Sequence, residues 1–260
     1  MGKVIVFANQ KGGVGKTTTT VNIGAFMAEK GFKTLLIDFD AQSNLTSAVG
    51  HHHIENTIYD AIMGEADLAG LVLDTPLPTL KLIPANANLS AASPELASRE
   101  GREYILRGLI EPIKNDYDFI LIDCPPSLDM LTINGVVAAD YVITPVQSEF
   151  FAAQGFLTML FSSIIRIKQN LNPALTLLGI VFTMYDSRTK LSNEVIEKIV
   201  TAVGDKAYFF GTVIPRNVKL AEAPSHGLPI SLYDSSSVGA QRYKLLTDEV
   251  LERIKVGEAG

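Results

Sequence analysis

Val4-Ile5-Val6-Phe7-Ala8-Asn9-Gln10-Lys11-Gly12-Gly13-Val14-Gly15-Lys16-Thr17-Thr18 reads as a buried strand, a glycine-rich loop and a helix start in immediate succession. Few side chains fit around a phosphate chain. Glycines let backbone N–H groups surround it, and the positive end of the following helix adds to the attraction. In such a loop Lys16 reaches the β- and γ-phosphates of a nucleotide, and the Thr17 hydroxyl ligates Mg²⁺. The ordinary spacing G-x-x-x-x-G-K-[ST] is not met, because Gln10 stands where its first glycine belongs. The stretch is K-G-G-V-G-K-T-T instead, with a second lysine at Lys11.

Outward from this loop, short apolar runs recur at Leu35 to Ile37, Phe119 to Ile122, Tyr141 to Ile143 and Leu177 to Phe182. They lack in/out alternation, which predicts strands covered on both faces, as in a parallel sheet. Helical patterns lie between them. One runs from Gly15 to near Gly31. Another sets Leu157, Leu160, Phe161, Ile164 and Ile165 on one face, and a last one spans about Gly239 to Ile254 with Tyr243, Leu246, Val250 and Ile254 at spacings of three and four. Alternating strands and helices predict an α/β fold: a doubly wound, mainly parallel sheet flanked by helices. Asp74-Thr75-Pro76-Leu77-Pro78 reads as a surface loop, and without a linker or repeat residues 1–260 read as a single P-loop domain.

Composition narrows the function classes. The 260 residues are 47% hydrophobic and 19% charged, an ordinary globular balance. No apolar run approaches the ~20 residues of a membrane span. Met1-Gly2-Lys3 enters a strand directly, leaving no signal peptide. Cys124 is the only cysteine, which excludes an internal disulfide and points to a reducing cytoplasm. A net charge of −6 excludes nucleic-acid binding through a basic shell, so any such contact must be local.

Asp40 lies 24 residues after Lys16, just past a strand end, where open α/β sheets place their ligand crevice. Asp123 ends an apolar strand, where a carboxylate is costly unless a cation or hydrogen bonds compensate it. Mg²⁺ held through water is the natural partner. Asp38 is an alternative on the metal side, or an N-cap. Cys124 reads as a small buried residue, and His51-His52-His53 as exposed loop residues.

The K-G-G-V-G-K-T-T stretch resembles the deviant Walker A motif of the ParA/MinD family of ATPases, with Lys11 as the signature lysine. The resemblance covers nearly the whole chain. Asp38-Phe39-Asp40-Ala41-Gln42-Ser43-Asn44 is similar to the family's D-x-D-P-Q-x-N segment, with Ala41 in place of proline, and Ile120 to Pro126 to its Walker B strand. Glu149-Phe150-Phe151-Ala152 to Gly155 and Ile214-Pro215-Arg216-Asn217-Val218 to Gly227 resemble the short partitioning ParA (Soj-like) branch. The resemblance implies ATP and Mg²⁺ as cofactors. ATP is bound by Lys11, Gly12, Gly13, Val14, Gly15, Lys16, Thr17, Thr18 and Pro215, and Mg²⁺ by Thr17 and, through water, Asp123. Asp40 then positions the attacking water, while Lys11 and Lys16 carry the charge of the transition state, Lys11 across an ATP-dependent homodimer. Arg188 and Lys219 match basic positions that such proteins use on non-specific DNA, although Ser235-Ser236-Ser237 stand where relatives often carry arginines. A ParB-like centromere-binding partner and a cytoplasmic, nucleoid-associated location complete the expectation, with chromosome or plasmid partitioning as the outcome. Two other branches differ in sequence. A MinD-like membrane-associated ATPase carries a C-terminal basic amphipathic helix, and Leu251 to Gly260 is mixed in charge without bulky aromatics. The iron-protein relatives need cluster cysteines. A nucleoid-tracking ATPase for a non-DNA cargo has the same expected sequence.

Overall fold

The computed structural model describes residues 1–148 and 155–259, so the Glu149-Phe150-Phe151-Ala152 segment lies outside the described residues. Seven strands form one sheet: β1 (Lys3–Phe7), β2 (Thr34–Asp38), β3 (Leu73–Asp74), β4 (Leu80–Ile83), β5 (Phe119–Asp123), β6 (Tyr141–Gln147) and β7 (Thr176–Thr183). Their spatial order is β3-β4-β2-β5-β1-β6-β7. Every pairing is parallel except β3 with β4. Five of the strands coincide with the apolar runs. The other two were not legible as runs, because Leu80-Lys81-Leu82-Ile83 is short and interrupted by a charge, and β3 has two residues. Lys81 pairs with Asp74 across that antiparallel edge, and the Thr75 to Pro78 stretch is the turn between them.

Helices cover both faces. They are α1 (Lys16–Glu29), α2 (Asn44–Ala48), α3 (Ile58–Met63), α4 (Ala92–Glu95), α5 (Ile105–Ile110), α6 (Met130–Ala138), α7 (Gly155–Asn170), α8 (Lys190–Val203), α9 (Val218–Glu222), α10 (Ile230–Tyr233) and α11 (Val238–Ala259). Within β1 the side chains divide by parity. Val4 and Val6 join the core beneath α5 and α6, while Ile5 and Phe7 join the one shared by α1 and α11. All four are fully buried, which is why the run shows no polar alternation.

Helix α1 is buried almost all round, packed on the sheet and against α2, α10 and α11. Tyr243, Leu246, Val250 and Ile254 of α11 form its inward stripe, as their spacing predicts. Truncating Leu246, which is fully buried, to alanine is expected to cost about 2–5 kcal/mol. The Tyr243 hydroxyl lies 3.1 Å from Thr19 Oγ1, and that Oγ1 donates to the Gly15 carbonyl at 2.7 Å. The last helix is thereby bolted to the first turn after the loop. On the predicted face of α7, Ile164 is buried and Phe161 half-buried but Ile165 is half exposed, being about 100° further round the helix, and the side chains of Leu157 and Leu160 lie outside those described.

Candidate nucleotide site

The register of the central strands sets the site. Phe7, Asp123 and Asp38 are aligned neighbours across β1, β5 and β2, so two carboxylates reach the same level at the strand ends as the start of the glycine-rich loop. Asn9 Nδ2 donates to the Pro145 carbonyl of β6 at 2.6 Å, and its Oδ1 accepts from the Lys11 N–H at 2.9 Å. Thr183 of β7 donates to the Val14 carbonyl at 2.8 Å, and Gln147 of β6 to the Gly13 carbonyl at 2.7 Å. Gly13 and Gly15 take φ values of 71° and 82°, a left-handed conformation that a side chain would strain. Gly15 is also the N-cap of α1, and having no side chain it cannot cap that helix end itself. Uncapped N–H groups at a buried helix start call for an anion.

Lys16 is 6% exposed, and its ammonium makes a long hydrogen bond, 3.4 Å from Nζ to the Lys11 carbonyl. Burial lowers its pKa, and the nearby Asp123 and Asp40 carboxylates oppose that shift. A desolvated cation with so weak a partner is suited to receiving phosphate. Thr17 Oγ1 donates to Asp123 Oδ2 at 2.6 Å. The other oxygen of Asp123, Oδ1, is buried without a hydrogen-bond partner among the described residues. Burial, and next the charge of Asp38, push the Asp123 pKa up to about 8. A hydroxyl beside an orphaned buried carboxylate oxygen is an appropriate donor set for a hard divalent cation such as Mg²⁺.

Asp38 is fully occupied. Its Oδ2 accepts from the Thr46 N–H at 2.7 Å and the Thr46 hydroxyl at 2.6 Å, and its Oδ1 accepts from the Asp40 N–H at 3.2 Å. Burial raises its pKa to about 6, against the pull of these bonds. It caps α2 from the neighbouring strand end, a role Ser43 does not perform from its left-handed φ of 55°. Asp40 is 8% exposed and accepts from the Gln42 N–H at 3.0 Å, a local turn that leaves it near Lys16. Lys11 Nζ donates to Gln147 Oε1 at 3.0 Å within the same chain.

Beside the loop opens a cavity of about 510 Å³, lined by Gly15, Thr18, Met184, Pro215, Arg216 and Tyr243 among others. Its size and largely apolar wall suit a nucleobase and ribose. The structure thus brings Lys11, Lys16, Thr17, Asp40 and Asp123 together, with Pro215 at the adjoining cavity. Gln147, Thr46 and Met184 were missed by the sequence reading. The first had a faint signal, a polar residue at the C-terminal end of an apolar strand.

Of the two basic residues, Arg188 lines this same cavity and Lys219 lies outside its wall, and each is paired with a carboxylate. Arg188, 86% exposed at the side chain, makes a two-pronged contact with Asp186 at 2.9 and 2.8 Å. Lys219 pairs with Glu222 at 2.9 Å and lies 5.7 Å from the Tyr233 ring centre. Ser237 accepts from the Ala240 N–H at 3.1 Å, capping α11, and Ser236 bonds Asp234, so these serines build a helix start. Cys124 is buried and burial raises its thiol pKa. His52 and His53 are exposed, whereas His51 is half-buried and bonded to the Asp74 carbonyl, and no metal-ligating cluster of His, Cys, Asp or Glu occurs among the described residues. No helix among them is long and apolar enough to cross a membrane.

A fold and site of this kind define a P-loop nucleotide-binding ATPase. A family model described as an AAA domain (AAA_31) matches residues 2–177. The chain is 51% identical over 253 residues to the chromosome-partitioning ATPase Soj of Treponema pallidum, covering 97% of this chain and 98% of that protein. It is 46% identical to the chromosome partitioning protein ParA of Caulobacter vibrioides, covering 96% and 94%. Among solved structures, a Mycobacterium smegmatis protein called cobyrinic acid a,c-diamide synthase, with bound ATP analogue and magnesium, superposes with a TM-score of 0.87 at 35% identity, covering 99% of this chain and 97% of that one. A putative plasmid partition protein from Borrelia burgdorferi bound to AMPPNP superposes at 0.80 with 25% identity, covering 99% and 100%. The chain belongs to the ParA/MinD-type family of P-loop ATPases, the class that works with ATP and Mg²⁺.

Proposed function

We propose that residues 1–260 form a single ATPase domain that acts as a partitioning switch: it dimerises on ATP, binds DNA non-specifically and is reset by hydrolysis. The observation that supports this most is the convergence of Lys16, Thr17, Asp40 and Asp123 at the ends of adjacent strands around an uncapped helix start. Lys16 binds the β- and γ-phosphates, Gly12 to Thr18 cradle them, and Pro215 contacts the base. Thr17 and, through water, Asp123 would hold Mg²⁺, which neutralises phosphate charge when bound. Asp40 orients the attacking water and accepts its proton. Phosphoryl transfer needs positioning and charge stabilisation above all, so one placed carboxylate suffices. Lys11, released from Gln147, supplies a cation to the ATP of a second subunit, as an arginine finger does.

Arg188 and Lys219 meet DNA phosphates, and dimerisation doubles these weak contacts. Their ion pairs with Asp186 and Glu222 must open for this, at small cost because all four are solvent-accessible. A ParB-like centromere-binding protein stimulates hydrolysis and releases the dimer from the nucleoid. The partitioning names of relatives that align over nearly the full chain favour this cargo. An amide-forming reaction, suggested by the name of one solved neighbour, finds no support in Cys124. Its thiol is buried, and burial raises its pKa well above the ordinary value.

Sedimentation of the chain with ADP or a non-hydrolysable ATP analogue, with and without duplex DNA, tests the reading. A dimer that forms only with the analogue and co-sediments with DNA at low salt is expected. A monomer under all conditions removes the switch, and a dimer indifferent to DNA removes its nucleoid half.

A further inference from the structure

Gln147 closes β6 with 9% exposure, and both ends of its carboxamide are used. Oε1 accepts from Lys11 Nζ at 3.0 Å, while Nε2 donates to the Gly13 carbonyl at 2.7 Å and lies 2.9 Å from Met184 Sδ. We infer that Gln147 is a positioning residue that holds Lys11 against its own phosphate loop and so sets the threshold for handing Lys11 to a second subunit. This rests on the dimer reading above.

Lysine carries its charge on a flexible four-carbon stem, which unrestrained would sample solvent. A bond from an ammonium to an amide oxygen is of the stronger, charge-assisted kind. Lys11 cannot extend to another copy until this bond breaks, and a symmetric dimer must break it twice. The same carboxamide joins the other two parts of the site. Gly13 belongs to the phosphate cradle, and Met184, at a left-handed φ of 53°, lines the base-side cavity. Filling either place therefore bears on the residue that restrains Lys11.

Two measurements on the full chain test this. In nucleotide-free protein, acetylation of each lysine by a limiting amine-reactive ester is followed by mass spectrometry, with exposed Lys33 as internal control. Gln147→Met, near in shape but without the amide, should raise Lys11 labelling about fivefold by removing one hydrogen bond, and leave Lys33 unchanged. Gln147→Glu keeps an acceptor and should label Lys11 no faster than wild type. Gln147→Met should also lower the dimer dissociation constant with a non-hydrolysable ATP analogue by about 25-fold, fivefold for each of the two restraints removed. Equal Lys11 labelling in wild type and Gln147→Met, or a dimer constant unchanged or raised, overturns the inference. If Gln147→Met is poorly folded by thermal melting, Gln147→Glu decides: faster Lys11 labelling than wild type overturns it as well. A wild type that stays monomeric with the analogue sinks the dimer reading instead, and the labelling arm, which needs no dimer, still decides the Gln147 contact.

Discussion

At the C-terminal ends of β1, β2 and β5 the polar groups are buried and face a common space, whereas Arg188 and Lys219 are exposed and paired with carboxylates two or three residues away. The contrast lies in what each arrangement costs. A buried cation with a long, weak bond and a carboxylate oxygen with no partner among the described residues are expensive in isolation, so their presence argues for a ligand that compensates them. Exposed ion pairs contribute roughly 0–1 kcal/mol each, so their geometry carries little information about what they bind. Burial gives the nucleotide site an energetic signature of its ligand, and the exposed basic pairs carry none.

The largest effect should come from Asp40→Ala, which is expected to slow phosphate release by about 10²–10⁴-fold while ATP still binds. Light scattering with ATP and Mg²⁺ should then show an accumulating dimer. Normal turnover in a monomeric variant would reduce Asp40 to a turn-forming residue. Next is Lys16→Ala, where losing the buried phosphate-facing cation should weaken ATP by about 2–5 kcal/mol, or roughly 30- to 4,000-fold. Titration of a fluorescent ATP analogue into folded variant measures this, and unchanged affinity would take Lys16 out of the site.

On the exposed side the effects should be smaller and salt-dependent. Arg188→Glu or Lys219→Glu should flatten the plot of log K for DNA against log salt by about 0.9 per phosphate, and each substitution acts twice in a symmetric dimer. Asp186→Ala, which frees Arg188 from its two-pronged pair, should raise DNA affinity about two- to fivefold if that pair competes with phosphate. An Asp186→Ala variant with weaker DNA binding would mean that the pair builds the surface rather than masks it.

The smallest effect concerns pH. Asp123 at about 8 and Asp38 at about 6 both titrate above the ~3.9 of an unfolded aspartate. Between about pH 4 and 8 the folded chain therefore holds more protons than the unfolded one. Their contribution is full below about pH 4 and is lost as pH rises through the folded values. Without metal or nucleotide, the Tm of wild type should fall from pH 5 to pH 8 more than that of Asp123→Asn. The variant should therefore melt above wild type at pH 8. Scanning fluorimetry in chelator-containing buffers checks it, and parallel pH curves would show that Asp123 is ionised without cost.

The sequence by itself determined the phosphate loop, the five strands that are apolar runs, and the carboxylates at strand ends, because each is a local pattern whose chemistry depends on immediate neighbours. Lys11 to Thr18 can be read without knowing what lies across the sheet. Only the tertiary structure distinguishes the surroundings of Asp38 from those of Asp123. Both end apolar strands, and what separates them is Thr46, which binds Asp38, and Thr17, which leaves one Asp123 oxygen unpartnered. It alone also brought Gln147 to Lys11, 136 residues apart in the chain, through the pairing of β6 with β1. Side-chain partners of that separation are set by strand order and register, which no local pattern encodes. The Asp186 and Glu222 pairings lie within three residues of Arg188 and Lys219, yet they too were unreadable, since an exposed charge has many neighbours in reach and only the fold selects one.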